Sequence, residues 1–179
     1  LSTENLTSRS EKELDELFKL YVMGLDELVE DERIHKNKVR VSVIGRRELL
    51  PQNVLDSIEK AEKSTEEYED YVFTICLAYG SREEIVLAIR EIASLHASGD
   101  LSLDQIDEKE VSNRLYTKGM PDPDLIIRTS GEERISNFLL WQSAYSEFIF
   151  VDTYWPSFSK REFLRALQTY QTRTRRFGE

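Results

Sequence analysis

The sequence predicts an α/β fold, an open and mainly parallel sheet flanked by helices, carried as a single domain over residues 1–179. Three observations predict it. Short β-branched runs alternate with amphipathic stretches of helical spacing along the whole chain, the pattern of parallel strands joined by crossover helices. The apolar run YVFTICLAYG, from Tyr71 to Gly80, lacks polar alternation, as expected of a central parallel strand covered on both faces. The length of 179 residues suits one compact domain, and no linker, repeat or low-complexity segment interrupts it.

From Glu11 to Val29, Leu14, Leu17, Phe18, Tyr21, Val22, Leu25 and Leu28 recur every three or four residues, which predicts a helix with Ser10 as its N-cap. VRVSVIG, Val39 to Gly45, predicts a strand, and Pro51 with Asn53 opens a helix through about Lys63. After the Tyr71–Gly80 strand, Ser81 is expected to cap REEIVLAIREIASLHA, whose Ile85, Ala88, Ile89, Ile92 and Leu95 keep helical spacing. A short helix is expected around Asp107 to Leu115, then a turn at PDPD and a strand at Leu125 to Ile127. SNFLLWQSAY predicts a further helix, EFIFVD a strand, and Pro156 with Ser159 a last helix whose buried stripe holds Phe163, Leu164, Leu167 and Tyr170.

Composition narrows the function. With 34 acidic and 24 basic residues the net charge is −10, which disfavours nonspecific attraction to nucleic acid or to an anionic membrane surface. A phosphate site must therefore be a local exception. The single cysteine, Cys76, has no partner for an internal disulfide, which agrees with a reducing compartment, and it reads as a small core residue. No apolar stretch is long enough to span a bilayer. His35 and His96 stand without neighbouring cysteine or histidine ligands, so a zinc site is not expected. Phosphate-loop, dinucleotide-binding and nucleophile-elbow patterns are absent.

In parallel α/β sheets ligands gather in the loops that leave the carboxyl ends of strands. Three such loops are polar here: the initial STEN, AYGSR, and RTSGEERIS. The last is the most unusual. Arg128 at a strand end and Arg134 near a helix start can converge on one anion with forked, charge-assisted donors. Thr129, Ser130 and Ser136 add hydroxyls, Gly131 permits a tight turn, and the start of the following helix is expected to present free amides that favour phosphate. The alternative is a solvated loop in which both arginines pair with Glu132, Glu133 and other carboxylates. Glu147, opening the next strand, is a candidate ligand for a hard divalent cation and equally an ordinary strand-end carboxylate.

These residues carry a resemblance. DLIIRTSGEERISNFLLWQSAYSEFIFVDTYWP resembles the C-terminal signature of cis-prenyltransferases of the undecaprenyl diphosphate synthase type, and STEN, AYGSR and RRFG follow in the family's order and spacing. The resemblance implies a transferase that condenses isopentenyl diphosphate units onto an allylic diphosphate, such as farnesyl or geranylgeranyl diphosphate. Its product is a long cis-polyprenyl diphosphate, and its cofactor is Mg2+. By resemblance, Arg128, Arg134, Ile135 and Ser136 bind isopentenyl diphosphate, and Glu147 contributes to the magnesium site. Ser2, Thr3, Glu4 and Arg9 lie against the substrates, and Asn5 assists removal of the proton from the condensing unit. Magnesium and arginine charge would stabilise the departing diphosphate, with no nucleophilic side chain required.

The resemblance further implies a homodimer, to which Arg176 and Gly178 would contribute, and cytoplasmic location with transient contact at the membrane for release of a lipid product. Phe18, Tyr21, Val22, Leu25, Phe73, Ile75 and Leu77 are candidates both for an apolar product tunnel and for ordinary core. The family's DGNGRW motif does not occur, and the opening LSTENL without methionine is read as the start of an N-terminally incomplete piece with an unprotected sheet edge. Leu6 and Ala78 also depart from the pattern, which often has an aromatic residue and an asparagine there. The alternative function is a noncatalytic partner subunit, a reading that the retained Arg128, Arg134, Ser136 and Glu147 oppose.

Overall fold

The computed structural model describes residues 1–173. The chain divides into two compact units, the first over Leu1–Gly80 and the second beginning at Ser81.

In the first unit, α1 (Thr3–Ser8), α2 (Glu11–Glu30) and α3 (Glu32–Lys36) precede β1 (Val39–Ile44), α4 (Gln52–Ser64) and β2 (Tyr71–Cys76). Ser10 caps α2 as expected: its hydroxyl accepts from the Glu13 amide, and the Glu13 carboxylate accepts from the Ser10 amide, a reciprocal capping box. Val54, Ile58 and Ala61 recur at helical spacing on α4, are fully buried, and pack with Leu25 of α2 and with Val41 and Val43 of β1. Strands β1 and β2 are parallel, with Val39 opposite Tyr71 and Ile44 opposite Cys76.

The run from Tyr71 differs from expectation in two ways. Its strand ends at Cys76, and Tyr71, Val72 and Phe73 are exposed in succession, so its first half is not covered on both faces. The early end of the strand has its reason in the next residues. Ala78 takes a left-handed φ of 50° while fully buried, which ends the extended run. Asparagine adopts that conformation more readily than alanine, so one departure from the family pattern falls at a conformationally demanding position.

The outer edge of β1 is closed by side chains. The Val41 amide donates to Thr65 Oγ1 at 2.9 Å and the Val43 amide to Glu62 Oε1 at 2.9 Å, while Arg47 Nη2 donates to the Val43 carbonyl at 2.8 Å. These groups satisfy main-chain positions that a neighbouring strand would otherwise fill.

The second unit contains α5 (Ser81–Ser98), α6 (Glu108–Ser112), β3 (Leu125–Arg128), β4 (Glu147–Phe150) and α7 (Lys160–Thr172). β3 and β4 are also parallel, Leu125 facing Glu147 and Arg128 facing Phe150. Both strand pairs therefore have the expected direction, although each forms its own two-stranded ladder. Ser159 caps α7 through a second reciprocal box with Glu162, and α7 packs against β4.

Phe163 and Leu164, expected in the buried stripe of the last helix, are exposed, because α7 turns Ala166 inward instead. Two further expectations fail here. The segment SNFLLWQSAY is a series of turns rather than a helix, because Ser136, Asn137 and Leu139 all have positive φ, of 46°, 60° and 48°. Ser81 lies inside α5 rather than capping it: its hydroxyl accepts from the Leu140 amide at 2.9 Å. Its own amide donates to the Asn137 carbonyl at 2.9 Å. A long-range hydrogen-bond exchange thus displaces both local preferences.

Candidate functional site

The residues singled out by sequence fall into two groups, one in each unit. In the first unit Ser2 caps α1, its hydroxyl accepting from the Asn5 amide at 3.3 Å, so Thr3, Glu4 and Asn5 form the first turn of a helix rather than an open loop. Ser2 also bridges Tyr79 in parallel, and the Tyr79 amide donates to the Leu1 carbonyl at 3.2 Å. STEN is thereby tied to the YG of AYGSR. Asn5 is half-buried, Thr3 Oγ1 donates to Glu4 Oε2 at 3.4 Å, and the exposed Arg9 ends α1 within 3.9 Å of Glu13. Of the tunnel candidates, Leu25 and Leu77 are core, Phe18, Tyr21, Val22 and Ile75 pack against it, and Phe73 is exposed.

In the second unit Arg128, at the carboxyl end of β3, opens the RTSGEERIS loop. Its Nη1 donates to Ser136 Oγ at 2.8 Å and to the Arg134 carbonyl. Two amides anchor the loop to the segment after β4: Ser130 donates to the Thr153 carbonyl at 2.9 Å and Gly131 to that of Val151 at 3.0 Å. Gly131 suits its left-handed φ of 68°, which other residues adopt only with strain.

Arg128, Thr129, Arg134, Ile135 and Ser136 line a cavity of about 290 Å³ with an apolar wall of Ile126, Phe138, Phe148 and Phe150. The rings of Phe148 and Phe150 stack with centroids 6.2 Å apart. Cation and hydroxyl donors on one side and aromatic carbon on the other suit an anion with a short hydrocarbon tail. Arg134 pairs with Glu132, but both side chains are largely exposed, at 63% and 42%. Such a pair is worth little and is readily exchanged for a doubly charged ligand.

The amide-rich helix start expected after this loop is absent, since residues 136–145 are turns. Nor does the start of α5 supply it, because the amides of Ser81 and Arg82 are both taken by Asn137, at 2.9 and 2.8 Å. Anion binding here falls to the side chains of Arg128, Arg134 and Ser136.

Glu147 lies elsewhere. It faces Leu125, three residues back from the Arg128–Phe150 rung, or about 10 Å along the strands at ~3.3 Å per residue. Alternation of side chains puts it on the opposite face from Arg128, Phe148 and Phe150. There Arg173, just beyond α7, donates to Glu147 Oε2 at 2.7 Å and to the Phe148 carbonyl at 3.0 Å. Glu147 and Arg128 of one chain thus face opposite sides of the β3–β4 pair. Among the described residues no group of three or more His, Cys, Asp or Glu side chains converges as a metal cage. Arg176 and Gly178 lie outside the described residues.

Comparison with known proteins decides the family. The Prenyltransf family model, that of undecaprenyl diphosphate synthase, matches residues 1–178. The chain belongs to the undecaprenyl diphosphate synthase family. It is 52% identical over 177 residues to the tritrans,polycis-undecaprenyl-diphosphate synthase (geranylgeranyl-diphosphate specific) of Pyrococcus horikoshii, covering 99% of this chain and 67% of that protein. The protein of the same name from Thermoplasma volcanium is 51% identical, with 99% and 68% covered. Among solved structures, lavandulyl diphosphate synthase from Lavandula x intermedia, in complex with dimethylallyl diphosphate, superposes with a TM-score of 0.93 at 38% identity, covering all of this chain and 76% of that one.

As a member of this prenyltransferase family the chain is of the transferase class. The noncatalytic alternative gains nothing from these relatives, which are named as synthases. Sequence reasoning missed Asn137, although an asparagine in an apparent helix interior is a signal, because it favours caps and left-handed backbone over helix.

Proposed function

We propose that the chain works in cis-prenyl chain elongation, adding isopentenyl diphosphate to an allylic diphosphate, and that the Arg128 cavity holds the isopentenyl diphosphate. The observation that carries this reading is the convergence of Arg128, Arg134 and Ser136 on one cavity whose other wall is aromatic. Two guanidinium groups and a hydroxyl match the diphosphate, and Phe148 and Phe150 match the five-carbon tail. Of the two allylic partners expected, farnesyl and geranylgeranyl diphosphate, the relatives' names support geranylgeranyl diphosphate.

Ser2, Thr3, Glu4, Asn5 and Arg9 belong to the same reading as the substrate-facing STEN region, with the Asn5 amide assisting proton removal from the condensing unit. The single family match over residues 1–178 supports treating both units as parts of one prenyltransferase domain. Magnesium would supply charge neutralisation of diphosphate oxygens. It commonly takes only one or two carboxylates alongside substrate phosphates, which suits the lone Glu147, but on a face away from Arg128 of the same chain. What the chain's own residues do is neutralise the isopentenyl diphosphate and hold its tail against the phenyl rings, which orients the reacting double bond.

The reading extends to a homodimer, which the exposed Tyr154, Trp155, Phe163 and Leu164 support. It also extends to cytoplasmic work with transient membrane contact as the product lengthens. Among the described residues no helix is long and apolar enough to cross a membrane.

Calorimetric titration of this chain with isopentenyl diphosphate, with and without magnesium, tests the cavity. Saturable binding that Arg134→Ala weakens at least about tenfold is expected, since a charge-assisted contact is worth ~1.5–3 kcal/mol. Absence of binding by a folded chain would remove the assignment.

A further inference from the structure

We infer that Asn137 is a positioning residue for the anion loop: by capping α5 from a distance of more than fifty residues in sequence, it holds Ser136 and the Arg134 backbone where Arg128 meets them. This rests on the isopentenyl diphosphate reading of the cavity and deepens it.

The first amides of a helix have no partner within it and need acceptors from outside. At α5 Asn137 supplies two, its carbonyl to the Ser81 amide at 2.9 Å and its Oδ1 to the Arg82 amide at 2.8 Å. The exchange is reciprocal, because Ser81 Oγ accepts from the Leu140 amide at 2.9 Å. Ser81 is fully buried, so water cannot readily replace the partners of its amide and hydroxyl, while the Asn137 Oδ1 bond to the Arg82 amide lies at the surface. All the partners lie in the second unit.

The backbone that the clamp spans is in a disfavoured state. Ser136, Asn137 and Leu139 have φ of 46°, 60° and 48°, which L residues other than asparagine and aspartate rarely adopt. The apolar spacing of SNFLLWQSAY favours a right-handed helix, and the local preference of Asn137 together with its long-range partners opposes it. Without the clamp, the segment is free to wind toward helix, and Ser136 Oγ and the Arg134 carbonyl leave Arg128. Asn137 thus acts on the ligand through Ser136 without lining the cavity itself.

The test compares variants of this chain by isopentenyl diphosphate titration, thermal melting and amide hydrogen exchange. Asn137→Ala is expected to bind about tenfold more weakly, in line with loss of a helix cap. Asn137→Asp keeps an acceptor at a helix start that favours negative charge, and is expected to retain affinity. Ser159→Ala removes the cap of α7 and should lower the melting temperature without changing affinity. If Asn137→Ala does not fold, Asn137→Gly, which accommodates the positive φ but lacks the acceptor, takes its place.

Wild-type affinity in the alanine or glycine variant, or an equal loss in Ser159→Ala, would overturn the proposal. A wild-type chain that does not bind the ligand would instead remove the cavity assignment. Exchange then decides the clamp alone: the Arg82 amide and residues 136–140 should exchange about tenfold faster in the Asn137 variant, and unchanged rates would overturn it.

Discussion

One nitrogen of Arg128, Nη1, donates both to the Ser136 hydroxyl at 2.8 Å and to the carbonyl of Arg134, so a single guanidinium ties together the two ends of a loop rich in phosphate-binding groups. A lysine ammonium could donate to both from its one nitrogen, but it is a compact charge on a flexible stem and lacks the planar, multi-nitrogen array of donors that a guanidinium offers a diphosphate. Arg128→Lys is expected to bind isopentenyl diphosphate more weakly than Ser136→Ala, which keeps both guanidinium groups and loses one charge-assisted hydrogen bond worth ~1.5 kcal/mol, or roughly tenfold in affinity. Calorimetry ranks the two; a lysine variant equal to wild type would show that charge alone suffices.

At Gly131 the obstacle to a side chain is conformational, a φ of 68°; the nearest atom, Asp152 Oδ1 at 2.9 Å, is a side-chain end that can swing aside. Gly131→Ala is expected to cost about 1–2 kcal/mol, the price of left-handed backbone for an L residue. Because Gly131 and Ser130 anchor the loop to the chain after β4, ligand affinity should fall alongside the melting temperature. A variant that melts and binds like wild type would show the loop free to move.

The β1 edge offers a separate test in the first unit. Thr65 is 1% exposed and its hydroxyl accepts from the Val41 amide while donating toward the Ala61 carbonyl at 3.0 Å. Thr65→Val is close in shape and leaves the Val41 amide buried without an acceptor. A loss of roughly 1–3 kcal/mol in urea unfolding is expected, the penalty for an orphaned buried donor. A neutral result would mean that water reaches the edge.

Three helix starts depend on ionised carboxylates. Asp31, N-cap of α3, is lowered from 3.8 to about 2, first by its side-chain hydrogen bond with Arg33 and then by the Arg33 amide. Glu13 is lowered chiefly by the Ser10 amide, and Glu162 chiefly by the Ser159 hydroxyl. Depressed carboxylates stabilise the folded state fully above their unfolded values, and that contribution fades as pH falls through the folded values. Helical circular dichroism should hold above about pH 5 and decline as the pH falls below 4 toward 2, the α3 signal persisting to the lowest pH. Asp31→Asn should remove the last part of that decline, and an unaltered profile would contradict the Arg33 pairing.

A substitution at Gly45 should be the least tolerated of all. Its φ is 123° and a Cβ would stand 1.9 Å from the Leu77 carbonyl oxygen, a main-chain atom that cannot swing aside. Gly45→Ala must part the chain leaving β1 from the chain leaving β2, and loss of several kcal/mol or failure to fold is expected, the scale of exceptional core substitutions. Native-like melting of this variant would sink the close approach.

The sequence by itself determined what short-range physics decides. The capping boxes of α2 and α7 each join residues three apart, and the apolar stripes of α2 and α4 repeat within single turns, so both were legible from spacing alone. The chemistry of the anion loop was legible too, because Arg128, Arg134 and Ser136 lie within nine consecutive residues. Only the tertiary structure decided what depends on partners remote in sequence. The turns at 136–145 in place of a helix arise from hydrogen bonds between Asn137 and the start of α5, 55 residues away for the Arg82 amide. The capping of α5 by Asn137 rather than Ser81 has the same source. The separation of Glu147 from Arg128 follows from the β3–β4 register, since a one-residue change in pairing would reverse the face of every side chain. Local spacing sees neighbours within a turn or a strand step; it carries no information about which distant amide will claim an asparagine, and that claim shapes this site.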